Sequence, residues 1–541
     1  MSEKRPEALG QADIDAFADQ TPQAGRKARS KKKWPLWAGV LTALAVLAAA
    51  VILLPGLLGQ QDPVPGAETD DPAHTAAPVT VVNKQTGAEG EVASDLVRAV
   101  SVTSLQGSYG FYTDENGIVR MEGDPDVPLN GAEVLSLFTR LSKVEAEDTV
   151  AAHVTDMDQY GFSLPAVTAS VTYADGESVT LDMAAMAVGK KHYLRVRGED
   201  TVYLVSAGLP EALIRPVEQF VSLSLIASPE VSPEDPNGTP MMKEFSLTGP
   251  VRDNVITTLR RKTAEDSEEF ANTNFLVTAP YLLAADAGAV TEFFATSSLT
   301  AQETVVLHPT DAQLEEYGLK EPRSVAKLVV AVYTSLTDES GETTEGGSYN
   351  ESAHLIRLGK SADNGTAYYC MADAVDAVYK VSADSVPWAE KTYHDYASRY
   401  LFMRHLNTLR SITCTLDGRE YDFRFQHFPD EEELDDTLRV TVDGQTYPTD
   451  QFRTLFQVLM TVYRTGPAPA EPAGEPLLTV KITSLDDSFS VNEISIYPYS
   501  ASAYIARTEQ GDTYKVTASR VDDAMEQIRR YLRGEEVVNR F

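Results

Sequence analysis

The sequence predicts an α+β protein: a single N-terminal transmembrane helix followed by about three repeated α+β modules with small antiparallel sheets. Three observations carry this prediction. An uncharged apolar run lies near the N-terminus, a pair of tyrosines ten positions apart recurs three times, and an amphipathic helical stripe precedes each pair.

The apolar run, Leu36 to Leu58, carries no charge over 23 positions. As a helix it measures about 34 Å, enough to cross a hydrocarbon core. Arg26, Lys27, Arg29, Lys31, Lys32 and Lys33 precede it, and QQDPVPGAETDD follows. That asymmetry places the N-terminus in the cytoplasm and the body outside. Trp34 and Trp37 stand where an interfacial aromatic belt belongs. A cleavable signal peptide fits less well, because the run exceeds the usual apolar core and its small-residue stretch, Ala48-Ala49-Ala50, sits in mid-run. The expected organisation is a basic cytoplasmic tail (1–33), the membrane helix (34–58), a disordered stalk (59–90), and modules at 91–227, 241–400 and 401–541. Pro-rich breaks fall at 228–240, between the first two modules, and at 466–476, within the third.

Charge excludes one class of function. The chain carries a formal net charge of −34, while residues 1–33 hold eight Lys/Arg against five Asp/Glu. The acidity therefore belongs to the body, which nucleic acid and anionic headgroups would repel. No nucleic-acid partner is expected.

The modules rest on repetition. Tyr193/Tyr203, Tyr369/Tyr379 and Tyr504/Tyr514 each flank a polar turn, and the second tyrosine always opens Tyr-[Leu/Lys]-Val-[Ser/Thr]-Ala. Alternating large and polar residues around such a turn describe a hairpin. A helix-like stretch follows each, clearest in Val521, Ala524, Met525, Ile528 and Leu532. Upstream lie the stripes Val134/Phe138/Leu141, Val290/Phe293/Phe294 and Phe452/Leu455/Phe456/Leu459. Tyr160-Gly161-Phe-Ser-Leu-Pro165 and Tyr317-Gly318-Leu-Lys-Glu-Pro322 follow the first two; the third copy lacks this element. Strand pairs come next, at 167–181 with a turn at Ala174-Asp175-Gly176-Glu177, and at 325–334 with 353–360. Between the latter, residues 335–352 read as a swollen surface loop.

The Tyr-Gly-x-x-x-Pro element, the Thr172-Tyr173-Ala174-Asp175-Gly176 hairpin, the Gly189-Lys190 and Gly359-Lys360 pairs and the repeated Val-Tyr-[Leu/Lys]-Val resemble the bacterial domain-of-unknown-function 4340 family. The resemblance covers roughly 90–400. It implies a membrane-anchored, extracytoplasmic repeat domain, often associated with gliding-type ABC transporter components. It brings no catalytic residues.

Chemistry has little support in the residues. His74, His153, His192, His308, His354, His394, His405 and His427 are scattered without HxxxH spacing, and no CxxC exists. Ser324-Val-Ala-Lys327 matches SxxK by spacing, but in a strand its ends point to opposite faces. Asp124/Asp126 and the run Asp430 to Asp436 lack the alternating ligands of a calcium loop and read as solvated turns. The recurring tyrosines suit packing better than a ligand platform. Cys370 and Cys414 are either two buried thiols or, with Cα atoms within about 7 Å, one bridge. No catalytic, cofactor-binding or metal-binding residue is assigned, and no cofactor is expected.

These features predict a non-enzymatic, membrane-anchored extracytoplasmic accessory or scaffold protein of the plasma membrane. Its expected partners are an integral-membrane complex, such as ABC transporter subunits, and the membrane itself through Leu36 to Leu58. A cell-surface module binding wall polymer or another protein is the alternative, and an enzyme with an unrecognised site a remote one. Protease added to intact, wall-stripped cells should remove the body and leave a small anchored fragment containing residues 1–58. A body that survives until the membrane is permeabilised would reverse the orientation.

Overall fold

The computed structural model describes residues 78–540, apart from 88–91, 187–189, 264, 267–269, 271–272, 338–342, 403, 430–436 and 486–492. The basic tail, the run Leu36 to Leu58 and the stalk up to residue 77 lie outside the described residues. No helix among the described residues is long and apolar enough to cross a membrane.

The α+β expectation is corrected. The protein is dominated by antiparallel sheet, and the sheets are large. One two-stranded sheet pairs β1 (Val79–Asn83), within the stretch expected as stalk, with β5 (Lys143–Ala146). The first large sheet contains β2 (Val97–Ser104), β3 (Gly107–Thr113), β4 (Val119–Met121), β6 (Asp148–Ala151), β7 (Val167–Tyr173), β8 (Ser178–Met186), β9 (Lys191–Val196) and β10 (Val202–Ser206). Their order is β4-β3-β2-β7-β8-β9-β10-β6. The second contains β11 (Thr239–Thr248), β12 (Thr257–Arg261), β13 (Phe275–Ala279), β14 (Leu283–Ala284), β15 (Glu303–Leu307), β16 (Ser324–Thr337), β17 (Thr343–Ala362), β18 (Ala367–Ala372) and β19 (Ala377–Ser382), ordered β14-β13-β12-β11-β16-β17-β18-β19-β15. The third contains β20 (Leu409–Leu416), β21 (Arg419–His427), β22 (Leu438–Val442), β23 (Gln445–Tyr447), β24 (Arg464–Pro467), β25 (Leu478–Ser484), β26 (Glu493–Pro498), β27 (Ala503–Thr508) and β28 (Thr513–Thr517), ordered β23-β22-β21-β20-β25-β26-β27-β28-β24.

One plan generates all three. A meander of three or four strands leads to a helix, the next strand of the sheet crosses to the far edge, and four more strands return to meet it. The repeat is therefore a whole sheet. The first large sheet lies in a compact unit that ends at Phe220; the second and third lie in another that begins at Val221.

The opening meanders escaped the sequence reading for a physical reason. β2, β11 and β20 each carry a register shift near the start, at Val97/Ala99, Met242/Glu244 and Leu409/Ser411. The buried residues consequently fall at Val97/Val100/Val102, Met242/Phe245/Leu247 and Leu409/Ile412/Cys414. A β-bulge inserts one residue, so the two-residue alternation that marks a strand is lost.

The three predicted stripes do form helices, Gly131–Ser142, Ala287–Thr296 and Thr449–Met460. Val134, Leu137, Phe138 and Leu141 of the first, and Phe452, Leu455 and Leu459 of the third, are buried. Inward Val167, Ala169, Val171 and Tyr173 of β7 are likewise buried. The expected closing helix is long only in the third copy, Ala518–Leu532; Gly208–Leu213 and Tyr393–Tyr396 are short. What recurs there is one aromatic. Phe220, Tyr396 and Tyr531 stand seventeen positions after Tyr203, Tyr379 and Tyr514, and all three are fully buried. Phe220 and Tyr396 accept backbone hydrogen bonds at 2.7 Å from Asn130 and Asp286, which cap the module helices. In the third copy the capping residue is Pro448, and Tyr531 donates its hydroxyl to that carbonyl at 3.1 Å.

Two other expectations change. The loop at 335–352 is largely strand, because β16 runs to Thr337 and β17 starts at Thr343. The break at 228–240 is tied down: Ser232 N–H donates to the Tyr349 hydroxyl at 3.3 Å, and Asn350 donates to Glu230 O at 2.9 Å. Asp175 and Glu177 shape their turn as expected, and both also hold Lys84 beside β1.

The tyrosine hairpins are present in all three copies, β9/β10, β18/β19 and β27/β28. In the first two, Tyr203 lies opposite Leu194 and Tyr379 opposite Cys370, so the two tyrosines of each hairpin sit on opposite faces. The first tyrosine meets the Tyr-Gly element: Tyr160 contacts Tyr193 edge-on at 5.3 Å, and Tyr317 lies 4.5 Å from Tyr369. Gly161 (φ 85°) and Gly318 (φ 72°) hold the left-handed conformation that ends each short helix. Phe162 and Leu319 then turn inward and are buried. In the second copy Lys360 N–H donates to Tyr317 O at 2.8 Å, and its ammonium donates to Glu316 O at 2.7 Å.

That contact explains the Gly-Lys pair. A Cβ on Gly359 would stand 2.2 Å from Tyr317 O, a backbone atom that cannot swing aside. Gly359→Ala should therefore destabilise by roughly 2–3 kcal/mol. Gly347→Ala, whose Cβ meets nothing within 4 Å, should stay within about 0.5 kcal/mol. Denaturant titration of the two variants checks this.

Candidate functional site at the junction of the second and third sheets

The last hairpin of each sheet carries an aspartate in its turn. In the first two copies it is exposed and faces a histidine in the left-handed conformation. His153 (φ 58°) lies 2.9 Å from Asp200, and His308 (φ 53°) lies 3.3 Å from Asp376. The third copy has neither that histidine nor the Tyr-Gly element. Its hairpin is also shifted by one residue, with Tyr514 opposite Ala506 and Tyr504 opposite Val516. A one-residue shift exchanges faces, so Tyr504 joins Tyr514 on one face and donates to Asp522 of helix Ala518–Leu532 at 2.9 Å.

The turn aspartate of this copy, Asp512, is only 1% exposed. The Tyr393 hydroxyl donates to its Oδ1 at 2.5 Å, and its Oδ2 has no protein partner. The Tyr393 ring lies 4.0 Å from His394 and 5.6 Å from Tyr281. His394 meets the Tyr514 ring edge-on at 5.9 Å, and the Arg464 guanidinium covers that ring at 3.9 Å. Five polar atoms are buried here without a protein partner: Asp512 Oδ2, Arg464 Nε and Nη1, His394 Nδ1 and the Tyr514 hydroxyl. Most buried polar groups are paired, so this concentration sets the cluster apart from the surrounding core.

Burial dominates the electrostatics. It pushes the Asp512 carboxyl up to about 7, against the Tyr393 hydrogen bond and the Arg464 charge. It holds the His394 imidazole down to about 4, aided by Arg464, and brings Arg464 down to about 10. The Tyr393 hydroxyl is pushed up, first by burial and then by Asp512. The stability signs oppose. Asp512 binds its proton more tightly when folded, so its contribution is full below about 4 and is lost as pH rises through about 7. His394 binds its proton less tightly when folded, so its contribution is full above 6.5 and is lost as pH falls through about 4.

A family model described as Domain of unknown function (DUF4340) matches residues 120–235 and 276–485. The chain belongs to this family. No curated protein and no solved structure matches it. The match reaches further into the third copy than the short motifs do. Within DUF4340 terms, Tyr393, His394 and Arg464 fall inside the matched residues, whereas Asp512 and Tyr514 lie beyond them.

The other residues singled out by sequence do not converge. His192 contacts Ala184 O at 3.0 Å, His354 contacts Ser352 at 3.1 Å, and His427 contacts Leu409 O at 2.6 Å. His405 caps a short 3-10 turn. His74 and the run Asp430 to Asp436 lie outside the described residues. Ser324 is fully buried and accepts from Arg252 at 2.8 Å. No group of three or more His, Cys, Asp or Glu among the described residues could hold a metal. Cys370 and Cys414 are buried free thiols, and burial pushes Cys414 up to about 12. Of the described histidines only His394 joins the cluster; its neighbours Arg464 and Asp512 had no sequence signal beyond recurrence of the turn aspartate.

The orphan hydroxyl offers a test. Tyr514→Phe removes an unpaired buried group and should change stability by less than about 0.5 kcal/mol, or raise it. Tyr531→Phe removes a satisfied hydrogen bond and should cost about 1 kcal/mol. Urea titrations compare the two.

Proposed function

We propose that this DUF4340 protein is a non-enzymatic, membrane-tethered accessory or scaffold of the cell surface, working beside an ABC-type transport complex. The observation that carries the reading is the use made of the family's motif residues. Tyr160, Tyr317, Gly359, Lys360 and Tyr369 pack one part of a sheet module against another. Residues spent in this way build surface rather than chemistry, and three sheets of one plan multiply that surface. Attachment is through Leu36 to Leu58, with the basic tail inside the cell and the acidic body outside. Confinement to the membrane raises the body's effective concentration toward other membrane proteins.

The test is complementation of a deletion strain. Replacing Leu36–Leu58 by an unrelated membrane anchor should preserve function, and releasing the body as a soluble fragment should abolish it. Full rescue by the soluble body, or turnover of a substrate by it, overturns the reading.

A further inference from the structure

The segment 392–400 joins the second sheet to the third. Ser398 N–H donates to Ala284 O at 2.7 Å on the second sheet's side, with an Ala285–Ala397 bridge beside it. On the other side Arg464 N–H donates to Arg399 O at 2.8 Å, next to a Tyr400–Tyr463 bridge. Within this joint Tyr393 and His394 lean onto the last hairpin of the third sheet through Asp512 and Tyr514.

We propose that this joint is a pH-compensated latch, in which Asp512 and His394, both packed against Tyr393, cancel one another's changes of protonation and keep the two sheets fastened as the surroundings acidify. The geometry supplies the opposition. Asp512 is buried and His394 half-buried, and each holds one buried polar atom lacking a protein partner, Asp512 Oδ2 and His394 Nδ1. Burial favours the neutral form of each. For a carboxyl that form carries the proton, and for an imidazole it lacks one. Opening the joint hydrates both, so the opened state releases a proton from Asp512 and takes one up at His394.

The groups facing the pair come from every element around it. Tyr281 comes from the turn between β13 and β14, Arg464 from β24 and Tyr514 from β28, with Asp395 beside His394 on the joint itself. Arg507 and Glu471 act on Tyr281. Among them Arg464 is the charged group closest in role to a counter-ion, attracting Asp512 and repelling a protonated His394. It thus opposes the carboxyl's neutrality and reinforces the imidazole's, and burial of the carboxyl outweighs it.

Hydrogen exchange of the amides at 392–400, measured on the full-length protein in detergent and corrected for intrinsic rates, reads the latch. Between about pH 4.5 and pH 6.5 the wild-type protection should change less than roughly threefold. Asp512→Asn leaves the imidazole alone, so protection should rise with pH across that span by roughly tenfold or more. His394→Gln leaves the carboxyl alone, and protection should fall by a similar factor. Wild-type protection as steep as either variant, or variants tilting in the same direction, overturns the proposal. If a variant fails to fold, the carboxyl carbon of Asp512 and the imidazole of His394 are followed by NMR in the wild type. A carboxyl already ionised at about pH 5, or an imidazole protonated there, overturns it as well.

Discussion

Each sheet depends on one closure. The strand that follows the module helix must reach an edge whose partner is made some fifty or more residues later, so that β6 meets β10, β15 meets β19 and β24 meets β28. Until that pairing forms, the helix has no complete sheet to cover. The features that recur in sequence gather around the closure. His153 and His308, with their left-handed backbone, sit against the turn that begins the last strand. Val154 N–H donates to Asp200 O, and His308 N–H donates to Asp376 O, at 2.9 Å each. The Tyr-Gly element then packs on the hairpin's outer face, where Phe162, Ala184 and Val202 form a small core with Tyr160 and Tyr193 against it. The residues that recur in this chain are thus the parts that brace a long-range pairing.

The third copy solves the same closure differently. Without a Tyr-Gly element there is no outer-face tyrosine to receive, and the hairpin's one-residue shift turns Tyr504 toward the closing helix instead. That helix is correspondingly long and carries Val521, Ala524 and Ile528 into the core. The space beside the turn is taken by the joint from the second sheet, which brings Tyr393 onto Asp512. Loss of one packing device and gain of a buried polar cluster are two sides of a single rearrangement.

Sequence made the second half of each module legible. Its hairpins alternate cleanly, and its helical stripes fall at true helical spacing, as Val134, Phe138 and Leu141 show. The first half was hidden by bulges at matching places in β2, β11 and β20, which turn a strand's alternation into a pattern matching neither periodicity. The cluster was hidden because Asp512 reads as an ordinary turn residue. Its partner Tyr393 stands 119 positions earlier in the chain. Long-range burial of this kind leaves no local trace.

The proposal at the centre is that this protein acts through its surface, held at the membrane beside an integral-membrane complex. In situ photocrosslinking from exposed positions on the sheets, such as Ser170 and Glu420, tests it most directly. The account predicts capture of the same integral-membrane proteins by the native protein and by a version carrying an unrelated anchor. Capture that reports only soluble proteins or wall polymer, or that is lost when the anchor is exchanged, would contradict it.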